Sequence, residues 1–156
     1  MEIMLEKATR ADAKAIYNIQ IKAFMPLLEK YKDYETNPAN EPIDRVITRI
    51  NNPNGGFYKI IADNTFAGAI CIFWKEGTQF WISPMFILPG YQGQGIAQKA
   101  LSLVEEMFPQ ATSWELKTIL EEKRNCYLYE KMGYSQTDEK SMVNENITLV
   151  HYKKIF

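Results

Sequence analysis

Apolar residues recur along this chain with two periods, and the switches between them outline its elements. Ile3–Lys7 alternates and predicts a short strand. Thr9 can cap a following helix with Asp12 in its first turn, and Ile16, Ile19 and Ala23 fall at helical spacing. A second helix is predicted after Glu41, with Pro42 in its first turn and Ile43, Val46, Ile47 and Ile50 on one face. Asn51-Asn-Pro-Asn-Gly-Gly56 breaks the pattern. Phe57–Ala62 and Phe66–Trp74 then read as strands around Asp63-Asn64-Thr65, a hairpin signal. Gln79–Leu88 is another strand, and its Pro84 predicts a bulge or an interrupted edge.

Helical spacing returns at Ile96, Ala100, Leu103/Val104 and Met107/Phe108. Trp114 and Leu116 mark a strand, Glu122–Met132 a short helix ended by Gly133, and Tyr134–Lys140 with Glu145–Lys153 a final strand pair. The order β-α-α-β-β-β-α-β-α-β-β predicts an α/β (α+β) fold. No repeat, linker or low-complexity tract divides residues 1–156, so one domain is expected, able to bury roughly 68–70% of its unfolded surface.

Composition removes several function classes. Lys+Arg 18 against Asp+Glu 19 leaves a net charge of −1, which gives no global attraction to nucleic acid. Cys71 and Cys126 form no disulfide framework, and with a single histidine there is little scope for a metal centre. No secretory-signal pattern and no apolar run near 18 residues is present, so the expectation is a cytoplasmic protein without a membrane partner.

The chemistry concentrates in Met85-Phe-Ile-Leu-Pro-Gly-Tyr-Gln-Gly-Gln-Gly-Ile-Ala97, where a strand runs through a Gln/Gly turn into a helix. Glycines allow close backbone approach, and the helix N-terminus offers unpaired N–H groups and a positive dipole end, so the unit suits phosphate. No Lys-Ser/Thr follows, which excludes a P-loop. Gly93-Gln94-Gly95 begins a dinucleotide fingerprint, but Gln98 occupies its third glycine position. Glu115 follows Gly95 by twenty residues, where a ribose-binding acid would stand, yet it lies inside the Ser113–Lys117 alternation rather than at a strand end. What remains is Gln92-Gly-Gln-Gly-Ile-Ala97, a Gln-x-x-Gly-x-Ala pattern.

That pattern resembles the acetyl-coenzyme A loop of the GNAT superfamily of N-acetyltransferases, Gln/Arg-x-x-Gly-x-Gly/Ala. About thirty residues later, Asn125-Cys-Tyr-Leu-Tyr129-Glu-Lys-Met-Gly133-Tyr134 resembles the family's second signature, Asn-x-x-x-Tyr-Glu-Lys-x-Gly-Phe/Tyr. The resemblance covers nearly the whole chain, the first 55 residues in pattern only. It implies a mixed, mostly antiparallel central sheet flanked by helices, with a splay between the fourth and fifth strands. It also implies acetyl-CoA as co-substrate and an amine as acceptor, with no metal. Homodimerisation is common among such domains.

Carried over residue by residue, the resemblance implies that Gln92, Gly93, Gln94, Gly95, Ile96 and Ala97 bind the coenzyme pyrophosphate through backbone N–H groups. Met85 and Ile87, at the end of the fourth strand, supply backbone groups to the pantetheine arm, and Asn125 hydrogen-bonds it. Tyr129 is the general acid that protonates the departing thiolate. A phenol with an ordinary pKa of about 10 holds its proton at neutral pH, as that role requires. Gln92 stands where arginine is frequent in the family, which removes a guanidinium from the loop. Lys123, Arg124 and Lys131 lie near Asn125 and are candidates to meet phosphates.

An amine with pKa near 10 is only about 0.1% neutral at pH 7, so the reaction also needs a proton acceptor. Glu115, Ser83 through water, and His151 are candidates, and the residues assign none of them. Cys126 reads as a core thiol, so the amine attacks directly in a ternary complex. Residues 24–41 are expected to lie between the first two helices. There Phe24, Tyr31 and Tyr34, interleaved with Glu29, Asp33, Glu35 and Glu41, suit a cationic amine or else a solvated loop with packed aromatics. A non-catalytic acyl-CoA-binding module is the alternative reading, and Tyr129 argues against it because a sensor needs no proton donor at sulfur.

Overall fold

The computed structural model describes all residues, Met1–Phe156. Seven strands form one sheet: β1 (Ile3–Lys7), β2 (Gly55–Ala62), β3 (Thr65–Lys75), β4 (Gln79–Ile87), β5 (Ser113–Ile119), β6 (Ser135–Asn144) and β7 (Ile147–Ile155), in the spatial order β1-β2-β3-β4-β5-β7-β6. Every neighbouring pair is antiparallel except β4 and β5, which are parallel and pair only over Gln79–Trp81 with Ser113–Glu115. Beyond Trp81 the two strands part, and β4 continues to Ile87 with one edge free. This is the splay expected between the fourth and fifth strands.

Helices α1 (Ala13–Tyr31) and α2 (Ile43–Ile50) cover one face over β2–β4, around Ile16, Val46, Phe57, Ala69, Cys71 and Phe86. Helices α3 (Ile96–Met107) and α4 (Lys123–Lys131) cover the other, around the larger core that holds Ile60, Ile70, Phe80, Leu101, Val104, Trp114 and Tyr152. No helix is long and apolar enough to cross a membrane.

Local chemistry accounts for most boundaries. The Asp12 carboxylate accepts from the Thr9 N–H at 2.8 Å and starts α1 through a single 3-10 turn. Asp63 and Asn64 take the left-handed conformations that a two-residue hairpin turn demands (φ 47° and 67°). The structure corrects three expectations. Gly55 and Gly56 belong to β2 rather than to the breaker before it, because they pair with Phe73 and Ile72 of β3 at an approach so close that a Cβ on Gly55 would collide with the Ile72 carbonyl oxygen. The final hairpin turns at Glu145-Asn146, beyond the predicted end of its first strand at Lys140, because β6 is a largely exposed, polar edge strand with no apolar alternation to mark its length. Helix α1 runs on through Pro26 to Tyr31, so only residues 32–42 connect the first two helices. Pro26 removes one N–H from the ladder, but burial of Ala23, Leu28 and Tyr31 holds the helix past it.

Pro84 behaves as its chemistry requires. It sits in β4 beyond the last β5 pair, at a bulge where the register with β3 shifts between Ile70 and Ile72. The bulge turns Met85 and Ile87 toward the α3/α4 core and Phe86 toward α1, where its ring meets Phe24 edge-on at 5.8 Å.

Several buried acids of high ordinary pKa tie stability to pH. Burial pushes the Cys71 thiol from 9.0 to about 12 and pushes the Tyr129 and Tyr134 phenols well above their usual value, with Glu105 adding to the effect at Tyr134. Each native pKa lies above its unfolded value, so the folded state holds protons that the unfolded chain releases first. The contribution of these groups is therefore complete below about pH 8 and falls above it, by about 1.4 kcal/mol per pH unit for each group that has passed its unfolded pKa. Urea midpoints are expected to agree at pH 7 and 8 and to drop steeply by pH 10.5. A flat profile to pH 11 would contradict this.

Candidate active site

The parted strands open into a cleft of about 790 Å³, within the size range of cofactor sites. It is bounded by the end of β4, the turn before α3, the α4 face and the second half of α1. Of the residues singled out from sequence, Met85, Ile87, Gln92, Gly93, Gly95, Ile96, Ala97, Asn125 and Tyr129 all line it. Gln94 does not; its side chain turns back to donate to the Gly90 carbonyl at 3.3 Å.

At the mouth, Gly93 and Gly95 adopt φ values of 76° and 81°, which only glycine takes without strain, and Gly95 caps α3 in that left-handed conformation. Their twist turns consecutive amides to one side. The N–H groups of Gly93, Gln94, Gly95, Ile96 and Ala97 make no hydrogen bond within the chain, and a Cβ built on Gly95 meets no atom within 4 Å. Five unengaged donors at a helix N-terminus beside open space form an anion nest. Gln92 plays a different part from its neighbours. Its N–H is engaged by the Pro89 carbonyl at 3.3 Å, and its side-chain amide donates to the Ile87 carbonyl at 3.0 Å. Gln92 thus ties the loop to the end of β4 rather than offering a donor to a ligand.

Charge reaches the nest from α4. The Arg124 guanidinium lies 3.4 Å from the position of a Cβ on Gly93, and Lys123 lines the same end of the cleft. Arg124 therefore puts a guanidinium beside the loop from which Gln92 removes one. Charge pattern alone could not select it, because three cations stand close together around Asn125.

Deeper in, the free edge of β4 faces the cleft. The Leu88 N–H donates to Ala67 on β3 at 2.8 Å, so strand alternation turns the N–H groups of Ile87 and Met85 away from β3 and into the gap. Across it stand Asn125 and Tyr129 on one face of α4. Their side chains make no hydrogen bond within the chain, although Tyr129 is only 9% exposed. The Tyr129 ring is wedged between Tyr134 and Tyr152, each with its centroid 6.1 Å away, and burial raises its phenol pKa. Its neighbours are fully committed: the Tyr152 hydroxyl donates to Glu130 at 2.6 Å and that of Tyr134 to Glu105 at 3.3 Å. A buried phenol left without a partner at the wall of a cleft is a proton donor available to something that enters it.

The sequence profile of the acetyltransferase (GNAT) family matches residues 13–134. The chain belongs to the GNAT acetyltransferase family. No curated protein sequence matches it, but many solved structures share its fold. A ribosomal-protein alanine N-acetyltransferase from Escherichia coli superposes with a TM-score of 0.78 at 11% identity, over 99% of this chain and 94% of that one. Spermidine N-acetyltransferase from Vibrio cholerae, solved with CoA and spermine, gives 0.76 at 16% identity over 98% and 95%. PaiA N-acetyltransferase from Thermoplasma acidophilum, solved with coenzyme A, gives 0.73 at 14% identity over the full length of both chains. Identities this low speak to the GNAT fold alone.

Of the other candidates, Phe24 lines the cleft beside Lys30 and Glu122, whereas Cys126, His151, Glu41, Asp33 and Tyr34 fall outside it. Cys126 is buried with its thiol toward the carbonyls of Ile119 and Leu120 (3.7 and 3.8 Å), a core thiol as expected. His151 is 6% exposed and bonded on both ring nitrogens, to Thr137 Oγ1 at 2.7 Å and Glu115 Oε1 at 3.0 Å. Two of the acids before α2 are engaged within the chain: Glu41 holds Arg49 bidentately (2.7 and 2.8 Å), and buried Asp33 accepts from the Asn37 amide. Tyr31 donates to Glu122 at 2.5 Å, and Lys30 pairs with the same oxygen at 3.0 Å. Phe24 packs on Phe86 and Tyr31 is buried, as the packed-aromatic reading has it, whereas Tyr34 is exposed.

Proposed function

We propose that the protein transfers an acetyl group from acetyl-CoA to a primary amine by direct attack in a ternary complex. The observation that carries this reading is the run of five unengaged N–H groups, Gly93–Ala97, opening onto a cleft that holds an unbonded phenol at its other end. An anion nest and a proton donor joined by a free strand edge suit a ligand with phosphate at one end, amides in the middle and a reacting sulfur at the far end. Acetyl-CoA has that order.

In this reading the pyrophosphate occupies the nest, with Arg124 supplying the charge. The pantetheine amides pair with the free N–H groups of Met85 and Ile87 along the strand edge, and Asn125 steadies the arm from α4. The β4 N–H groups polarise the thioester carbonyl, where negative charge develops as the amine attacks. The amine gives up its surplus proton to water, and collapse of the tetrahedral intermediate breaks the C–S bond. The Tyr129 hydroxyl protonates the departing thiolate and is reprotonated from solvent. Its raised pKa keeps that proton in place throughout the neutral range.

Calorimetric titration tests the donor half. Acetyl-CoA and coenzyme A are expected to bind and NAD not to. Arg124→Ala should weaken both coenzymes about tenfold, because a charge-assisted contact to phosphate is lost, and should flatten the salt dependence of binding. Folded wild-type protein that binds no acetyl-CoA would overturn the reading.

A further inference from the structure

Helices α1 and α2 leave part of their side of the sheet bare, and what stands there is chemically specific. Phe73 on β3 and Trp81 on β4 lie parallel, with centroids 6.2 Å apart and planes 5° apart. The His151 ring stacks on Trp81 at 5.3 Å and continues the row. Beside the row is a hollow of about 250 Å³ lined by Phe73, Lys75, Trp81, Ser83 and Lys117. At roughly 30 Å³ per water this is the space of about eight waters, enough for one small group. Lys75 lies over the Trp81 ring at 5.6 Å. Neither Lys75 nor Lys117 has a carboxylate partner within 4.0 Å, whereas Lys30, Lys59 and Lys154 each have one. The carboxylate nearest in register, Glu115, is 9% exposed and already bonded to His151.

This hollow lies at the splay. Trp81 and Glu115 are the last paired residues of β4 and β5, so Ser83 and Lys117 are the first residues beyond them on this face. Phe86, farther along β4 on the same face, lines the large cleft. An occupant therefore sits beside the point where the parted strands expose the donor cleft.

We propose that this open face holds the acceptor, and that the acceptor is a small amino carboxylate. Its acid group lies between Lys75 and Lys117 with the Ser83 hydroxyl as a further donor, its apolar body rests on the Phe73–Trp81 row, and its amine points along β4 to the splay. The inference rests on the acetyltransferase reading for the role of the amine, but not for binding of the acid. It replaces the cationic amine that the acids of residues 24–41 suggested, since Glu41 among them is paired with Arg49 and Asp33 is buried.

Matched pairs of probes test it. Phenylalanine and leucine, each against its decarboxylated amine, are titrated into the protein with coenzyme A present, and thiol release from acetyl-CoA is followed in parallel. The carboxylated member of a pair is expected to bind and react at least about tenfold better. Lys75→Ala and Lys117→Ala should each cost about tenfold for the acid and leave the plain amine unchanged, and Lys117→Glu should reverse the preference. Both lysines are exposed, so these variants keep the fold. Trp81→Phe should remove the fluorescence change caused by the acid.

Equal or better use of the plain amines, lysine variants without effect, or no response to any carboxylate would overturn the proposal. The acetyl-CoA titration separates the two failures. If acetyl-CoA binds and the acids do not, only the acceptor assignment falls. If the acids bind through the lysines and acetyl-CoA does not, the transferase reading falls and the acid site stands.

Discussion

Gly95→Trp should abolish acetyl-CoA binding, by at least about a hundredfold in Kd, in a protein that remains folded. Two separate properties of Gly95 lead there. Its φ of 81° is costly for any residue with a Cβ, and that strain of about 1–2 kcal/mol falls on stability. The space in front of it is empty, with no atom within 4 Å of a Cβ, so an indole is accommodated by the fold and fills the volume where a phosphate would meet the nest. Gly95→Ala separates the two effects, because it carries the same backbone strain without the bulk. For a chain of this size the alanine variant should melt about 2–8 °C lower and still bind within about tenfold of wild type. Thermal scans and calorimetry on the pair decide the matter. A folded tryptophan variant that binds acetyl-CoA normally would place the pyrophosphate elsewhere.

The loop could be read in the sequence because its chemistry is local. Two glycines, a strand end and a helix start lie within thirteen residues, and the backbone geometry they impose needs nothing from the rest of the chain. Asn125 and Tyr129 were legible through the second signature and Met85 and Ile87 through the strand end that the resemblance places beside the loop, and the structure lines all four along the same cleft. The role of Gln92 was not legible. Whether a side chain serves a ligand or the loop depends on where the Ile87 carbonyl falls after the bulge, and that is set by the pairing of β4 with β3. Helix α1 runs past the spacing that ends at Ala23 for a similar reason: burial of Leu28 and Tyr31 against the rest of the fold carries it through Pro26.

Nonlocal pairing hid the acceptor face most completely. Phe73, Trp81, Lys117 and His151 come from four different strands and share no spacing. The acids of residues 24–41 did lie close together in sequence and suggested a cation site, yet Arg49 neutralises Glu41 and Asp33 is buried against the Asn37 amide. Sequence proximity displays charges before their partners are known, so it overstates charged sites in loops and overlooks those assembled across a sheet.

Tyr129→Phe should lower kcat about a hundredfold or more while leaving the affinity for acetyl-CoA and the thermal stability close to wild type. The stability half follows from hydrogen bonding. The Tyr129 hydroxyl bonds nothing in the chain, so its removal orphans no buried group, and the ring that packs between Tyr134 and Tyr152 is kept. Tyr152→Phe is the contrasting control, because it strips Glu130 of a 2.6 Å donor and should destabilise without a specific loss in the chemical step. The kinetic half follows from the thiolate. Without the phenol the C–S bond breaks to an unprotonated sulfur, so the loss should shrink for an acyl donor whose leaving thiol has a lower pKa. The pH profile adds a second signature. Burial holds the Tyr129 proton past its ordinary range, so phenol ionisation should impose no alkaline decline below about pH 10. Full activity in a folded Tyr129→Phe enzyme would remove Tyr129 from the chemistry and leave the cleft as a coenzyme site alone.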